Sequence, residues 1–251
     1  MKNLISQYFQ AVITQLQTVL EESGDAIYAA AEVVAEALAN DKDYMLFGSG
    51  HSALIAKDAT WRAGGLAPAI FVEDISGGAA ERIEGMAALT LSHYNLEAGS
   101  VMLVVSNSGI NPNPIEMAMV SKAAGLTVIA VTSLAHSQAV PSRHSSGKKL
   151  YQIADIVIDI HGISGDAALD IPHTTIKAGA TSTAIGSAII QAIGTQAAAL
   201  LAERGITPPV LISANVPEGD VHNEKLRAKY RPRMVRYMIG QPPPVRGDSD
   251  A

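Results

Sequence analysis

Five short apolar runs recur along the chain with helix-patterned segments between them, and this alternation constrains the fold more than any other feature. The runs are Tyr44 to Phe47, Ala69 to Val72, Val101 to Val105, Thr127 to Thr132 and Ala154 to Ile160. Apart from Thr127, Thr132, Asp155 and Asp159 their residues are apolar at consecutive positions, the pattern of strands buried on both faces. Helices are predicted over Ser52 to Arg62, Ala79 to Tyr94, Asn113 to Ala124 and Ser182 to Glu203. Pro114 suits the first turn of the third of these, and Gly125 ends it. Strand–helix alternation of this kind predicts an α/β fold with a doubly wound, five-stranded parallel sheet in the flavodoxin-like order 2-1-3-4-5.

Ahead of the first strand, Ile5, Phe9, Val12, Leu16 and Val19 form an apolar stripe at helical spacing. Ser23-Gly24-Asp25 predicts a break, after which a second helix runs to about Leu38. Residues 1–40 are therefore read as a helical arm of the same domain as the α/β unit at 41–210. Residues 211–251 form a C-terminal extension, with three consecutive prolines in a loose tail.

Composition narrows the function classes. A net charge of −6 argues against nucleic acid, whose binders usually show a basic face. The absence of cysteine excludes disulfides, thiolate nucleophiles and cysteine metal sites. The histidines show no i,i+4 pair and no H-E-x-x-H pattern, so no metal is expected, and no cofactor. The N-terminus lacks a signal-peptide pattern, and a cytoplasmic location is expected. No charged residue lies between Lys177 and Glu203, a length that can span a bilayer. Thr181, Ser182, Thr183, Ser187, Gln191, Thr195 and Gln196 interrupt that stretch, which favours a buried or subunit-interface helix and no membrane.

Two loops follow apolar runs with the same chemistry. Gly48-Ser49-Gly50-His51-Ser52 follows the first run, and Ser106-Asn107-Ser108-Gly109-Ile110-Asn111 follows the third. In the predicted order, strands 1 and 3 are neighbours at the switch point, where a crevice opens at their carboxyl ends. Glycine permits close backbone approach, serine hydroxyls donate, and each loop leads into a helix N-terminus. Alone, each loop is equally well a tight turn or a helix cap. Together they point to an anion site, most simply for phosphate. A rival fingerprint, G-x-G-x-x-G/A, is met by Gly48 to Ala53, with Glu73 and Asp74 where a ribose-binding acid belongs. It leaves the second serine loop unexplained, so an NAD-dependent oxidoreductase is a minor alternative.

The two loops resemble the G-x-G-x-S and S-x-S-G phosphosugar loops of the SIS (sugar isomerase) domain family, and the likeness covers about Leu4 to Glu203. Ser108-Gly109-Ile110-Asn111, Arg143 to Lys148, Gly165-Asp166-Ala167 and Ser213-Ala214-Asn215 are similar to a stand-alone, phosphosugar or phosphoheptose isomerase-like subgroup. Asn111 departs from the threonine or serine that many relatives carry there, and an amide still donates to phosphate. The resemblance implies a sugar phosphate as small-molecule partner and a homodimer or homotetramer. It also implies either proton abstraction next to a sugar carbonyl, giving isomerisation or elimination, or a non-catalytic sensor.

Such chemistry needs a base and an acid tuned near working pH. Glu81 and Glu84 lie three apart on the helix predicted after strand 2, where SIS enzymes often supply a carboxylate; Glu84 is the first choice of base. His51, inside the first loop, is the other catalytic candidate. The polar, basic loop Ser133 to Lys149, with Arg143 and His144, reads first as a solvated basic loop and alternatively as one that folds over the site. Thr183, at the start of the last long helix, and His144 are further candidate phosphosugar-binding residues, with a simple helix cap the alternative at Ser182.

Overall fold

The computed structural model describes residues 3–74, 76–163 and 165–234. Asn3 starts the first helix, α1 (Leu4–Ala39), by accepting from the Ile5 and Ser6 N–H groups. Then come β1 (Tyr44–Gly48), α2 (Ser52–Asp58), β2 (Ala69–Val72), α3 (Met86–Leu91), β3 (Val101–Val105) and α4 (Pro112–Ala123). They are followed by β4 (Thr127–Thr132), α5 (Leu134–Ala139) and β5 (Ile156–Asp159). A small hairpin of β6 (Leu169–Asp170) and β7 (Lys177–Ala178) precedes α6 (Ser182–Glu203) and α7 (Gly219–Tyr230).

The five main strands form one sheet in the order β2-β1-β3-β4-β5, and every pairing in it is parallel. Successive strand residues face opposite sides, and the sequence uses both. Tyr44, Leu46, Leu103, Val105, Ile129 and Val131 face α1, α2 and α6, where Val34, Ile55, Ile185, Ile189 and Ile193 pack. Met45, Phe47, Met102, Val104, Val128 and Ala130 face the other way, against Leu91, Ile115, Met117 and Leu150. Each valine, leucine, isoleucine, phenylalanine or methionine side chain among them, fully buried, contributes about 1.5–3 kcal/mol. Residues of the C-terminal extension dock through Leu211 and Tyr230 onto Ala67. The proline-rich tail lies outside the described residues.

Three expectations need correction. The helical arm is one unbroken helix of 36 residues. Gly24 costs a helix only about 1 kcal/mol, and Ser23 is buried with its hydroxyl donating to the Asp159 carbonyl at 3.0 Å, so tertiary contact carries the helix through. The helix after β1 ends at Asp58 rather than Arg62. The helix after β2 shrinks to α3, because Gly77, Gly78 and Gly85 all hold positive φ. Glu81 and Glu84 therefore lie in irregular chain. The apolar Ser182–Glu203 segment is the one described helix long and apolar enough to cross a membrane, and its inner face is built into the sheet core.

Candidate active site

β1 and β3 are paired through Gly48↔Val105, so the loops that leave them emerge side by side. Gly48 is required there: a Cβ at this position would lie 2.4 Å from the carbonyl carbon and oxygen of Ser52. Gly50 turns the chain at φ +57°. The N–H groups of Ser52, Ala53 and Leu54 close turns onto Ser49, Gly50 and His51 carbonyls. Those of Gly50 and His51 have no partner among the described residues, while the Ser49 N–H faces the Val105 carbonyl across the Gly48↔Val105 pair. In the second loop Gly109 holds φ +62°, and its N–H donates to Ser106 Oγ at 3.1 Å. The carbonyls of Asn107, Gly109 and Ile110 accept from Ser133, Leu150 and Arg143, which fixes the back of the loop. The N–H groups of Asn107, Ser108, Ile110 and Asn111 are left unpaired among the described residues.

The free donors thus belong to the loops, and the first turn of α4 adds none. Pro112 and Pro114 have no N–H, and the N–H of Asn113 between them donates to the Glu81 carbonyl at 3.1 Å. The Asn113 side-chain amide is buried, with neither its nitrogen nor its oxygen hydrogen-bonded among the described residues.

The chain between β2 and α3 lies over the first loop. A Cβ on Gly78 would come within 3.1 Å of the Gly50 nitrogen and Cα. From this cover Glu81 reaches the second loop, accepting from Asn111 Nδ2 at 2.8 Å. Asn111 Oδ1 in turn accepts from Arg143 Nη1 at 2.8 Å. The loop Ser133 to Lys149 opens with α5 and then delivers Arg143 to Asn111, whereas His144 faces α4. The His144 Nε2 lies 3.5 Å from Glu116 Oε1. Glu116 also accepts from the Gly85 N–H, and Glu84 accepts from both the N–H and the Oγ of Ser145. Glu84, Glu116 and His144 bring ligand-type atoms within 4.8 Å of one another. Each is already occupied in a latch that ties the cover to α4 and the basic loop.

Two further expectations change. Asp74 is buried; its Oδ2 accepts from Ser49 Oγ at 2.6 Å and its Oδ1 from the Ser76 N–H and Oγ. One oxygen thus braces the first loop and the other the turn after β2, so the Asp74 carboxylate is not free for a dinucleotide ribose and the Ser49 hydroxyl is engaged as well. Thr183 is exposed on α6, and the N–H groups ahead of it, of Thr181 and Ser182, donate to Asp166 Oδ1 at 3.1 and 3.0 Å. A carboxylate of the chain itself fills that helix terminus. His51 is exposed at the start of α2 with no side-chain cap bond, and Ser52 is half-buried beside it.

Arg143, Asp74, Ser145 and Glu116 were the residues least visible in the sequence as site components. Arg143 and Ser145 stood within a stretch matching the SIS subgroup, and Asp74 within the rival fingerprint; Glu116 carried no signal beyond a helical face.

The Ser145 N–H and then its hydroxyl, with a smaller contribution from nearby His144, hold the Glu84 carboxyl below the usual carboxylate range. Because its folded value lies below the unfolded one, this tie is complete above the ordinary carboxylate range and is lost as pH falls through the lowered value. The Ser145 amide resonance should therefore titrate at a pH below that of an unperturbed glutamate. A midpoint at or above the ordinary value would show that the latch does not form in solution.

A family model, SIS domain, matches residues 7–133. The chain belongs to the SIS family. The UPF0309 protein of Geobacillus kaustophilus is 40% identical over 246 residues, covering 94% of this chain and 98% of the relative. The UPF0309 protein of Streptomyces coelicolor is 39% identical over 239 residues, covering 91% and 95%. Among solved structures, the phosphoheptose isomerases of Neisseria gonorrhoeae and Francisella tularensis share the fold with TM-scores of 0.57 and 0.56, at 18% and 19% identity. They cover 79% and 78% of this SIS chain and 98% of each isomerase. Such distant likeness speaks for the fold alone.

Proposed function

We propose that this SIS protein is an enzyme that binds a sugar 6-phosphate, an amino-sugar or heptose phosphate among them, and removes a proton from the carbon next to the carbonyl. One observation carries the reading. Two adjacent strand-end loops present six backbone N–H groups without a partner among the described residues, on Gly50, His51, Asn107, Ser108, Ile110 and Asn111. Free N–H groups on neighbouring loops at the switch point of a parallel sheet suit a phosphate dianion. The hydroxyls of Ser52, Ser106 and Ser108 add donors, and the Arg143 guanidinium adds a positive charge at Asn111.

We assign the base to Glu81 rather than Glu84. Glu81 is half-buried and bonded to the second loop itself. Glu84 is exposed, turned towards Ser145 and held acidic, which makes it a weaker base. In the proposed reaction Glu81 accepts the proton and leaves an enediolate. Returning the proton to the neighbouring carbon isomerises the sugar. A leaving group on the next carbon turns the same step into an elimination. His51 at the mouth of the first loop serves as the acid, Glu84 and His144 position the cover, and the protein works as a homo-oligomer in the cytoplasm without a cofactor.

Incubating the protein with hexose, hexosamine and heptose 6-phosphates in D2O tests this. The expected result is deuterium at the carbon beside the carbonyl of one substrate. Binding without exchange across the panel would favour a sensor instead, a reading supported by the structural duty Glu81 already performs in holding Asn111 and Asn113. Stabilisation by NAD(P) and not by sugar phosphates would point back to an oxidoreductase.

A further inference from the structure

Three side chains from separate segments bring ligand-type atoms together. Glu84 belongs to the chain that covers the first loop, Glu116 to α4 and His144 to the basic loop. Their carboxylate oxygens and imidazole nitrogen lie within 4.8 Å of one another. Two carboxylates this close repel each other. The one ion-pair contact that either makes among the described residues is between Glu116 and His144.

The imidazole is the informative member. The His144 side chain is only 9% exposed. Its Nδ1 is engaged by Ser146, 2.7 Å from the Oγ and 3.1 Å from the backbone nitrogen. Its Nε2 has no hydrogen bond among the described residues, and Glu116 Oε1 lies 3.5 Å away. An N–H···O bond spans about 2.7–3.2 Å, so a proton on Nε2 would be a buried donor left unmet. The same separation fits two ligands on one tetrahedral ion. Zinc bonds of about 2.0–2.2 Å at the tetrahedral angle hold their ends about 3.3–3.6 Å apart. With the proton on Nδ1, donating to Ser146 Oγ, the Nε2 lone pair turns into the cluster. An outer hydrogen bond of this kind is how ligating histidines are ordinarily held. The latch bonds are compatible with an ion, because a carboxylate offers about four lone-pair sites. Glu84 uses two on Ser145, and Glu116 uses two on the Gly85 N–H.

We propose that Glu84, Glu116 and His144 bind a divalent cation of the zinc class, with water completing its coordination. Imidazole together with carboxylates suits zinc, whereas magnesium and calcium take oxygen ligands. The expectation of no metal rested on local motifs, and a set drawn from positions 84, 116 and 144 has none. Glu116 lies five residues beyond Asn111 along α4, about 7.5 Å. The ion therefore clamps the cover and the basic loop onto α4 beside the paired loops. It is a structural ion and takes no part in the proton transfer assigned to Glu81. The inference does not depend on the sugar-phosphate reading.

Isothermal titration of the full chain with zinc chloride, after chelator treatment and buffer exchange, tests it. A single ion per chain is expected, with a dissociation constant in the micromolar range or below. His144→Gln and Glu116→Gln should each weaken binding by at least about 100-fold, more than loss of an outer hydrogen bond to a ligand costs. His173→Asn, at an exposed histidine between β6 and β7, should bind as the wild type does. Bound zinc should raise the melting temperature of the wild type and leave that of either ligand variant unchanged. If one ligand variant fails to fold, the other still decides. A wild type that takes up no zinc, a folded ligand variant that binds it at wild-type strength, or magnesium bound as tightly as zinc would overturn the proposal.

Discussion

Gly48→Ala is expected to collapse the first loop and lower stability by about 3 kcal/mol, at the upper end of overpacking costs. For a chain of this size that corresponds to a melting temperature lower by roughly 6–12 °C. The cause is geometric. The new methyl would lie 2.4 Å from the Ser52 carbonyl carbon and oxygen and 2.8 Å from the Ala53 nitrogen. These are backbone atoms of the first turn of α2, and they cannot rotate aside as a side chain would. Gly50→Ala is the matched control. Nothing lies within 4 Å of its Cβ, so only the left-handed backbone is strained, by about 1–2 kcal/mol. Differential scanning calorimetry of both variants separates clash from strain. Equal, small losses for the two would mean that the first loop is not held as described.

Glu81→Gln should lower kcat on whichever sugar phosphate shows exchange by about 10³-fold, the middle of the range for loss of a general base. A glutamine keeps the oxygen that accepts from Asn111 Nδ2, and the Glu81 carbonyl that accepts from the Asn113 N–H is untouched. Folding and ligand affinity should therefore change little, by about 1 kcal/mol or less. Glu84→Gln is the contrast. It weakens the tie to Ser145 while leaving the carboxylate nearest the second loop in place, so its effect on kcat should stay within a few-fold. The reverse outcome, with Glu84→Gln abolishing turnover and Glu81→Gln retaining it, would move the base to Glu84 and leave the class of reaction intact.

The sheet was legible because its strands are buried on both faces, which forces consecutive apolar residues and leaves few alternatives. The pairing of the two loops followed from strand order alone. Continuity of α1 was not legible, because the penalty at Gly24 is local and visible while the compensating bond from Ser23 crosses to β5. The shortening of α3 was readable from Gly77-Gly78 and Gly85, yet the apolar spacing beyond them outweighed these glycines in the pattern. Arg143 and Asn111 are far apart in sequence, and no periodicity announces that their side chains meet. The Asp74 carboxylate looked available for a ribose; only its burial and its bonds to Ser49 and Ser76 reveal that it braces a loop. A helix N-terminus usually adds donors behind such a loop, but two prolines and the Glu81 carbonyl leave α4 with none in its first turn.

The claim that the paired loops hold a phosphate is tested most directly by isothermal titration of hexose, hexosamine and heptose 6-phosphates alongside the same sugars without phosphate. At least one phosphate ester should bind, at least about 100-fold more tightly than its parent sugar. That is the difference expected from two or more hydrogen bonds to a charged group. Inorganic phosphate should compete, and Ser108→Ala should weaken the ester while leaving the parent sugar unaffected. A sugar that binds equally well with and without its phosphate, or a panel in which no ester binds, would contradict the account.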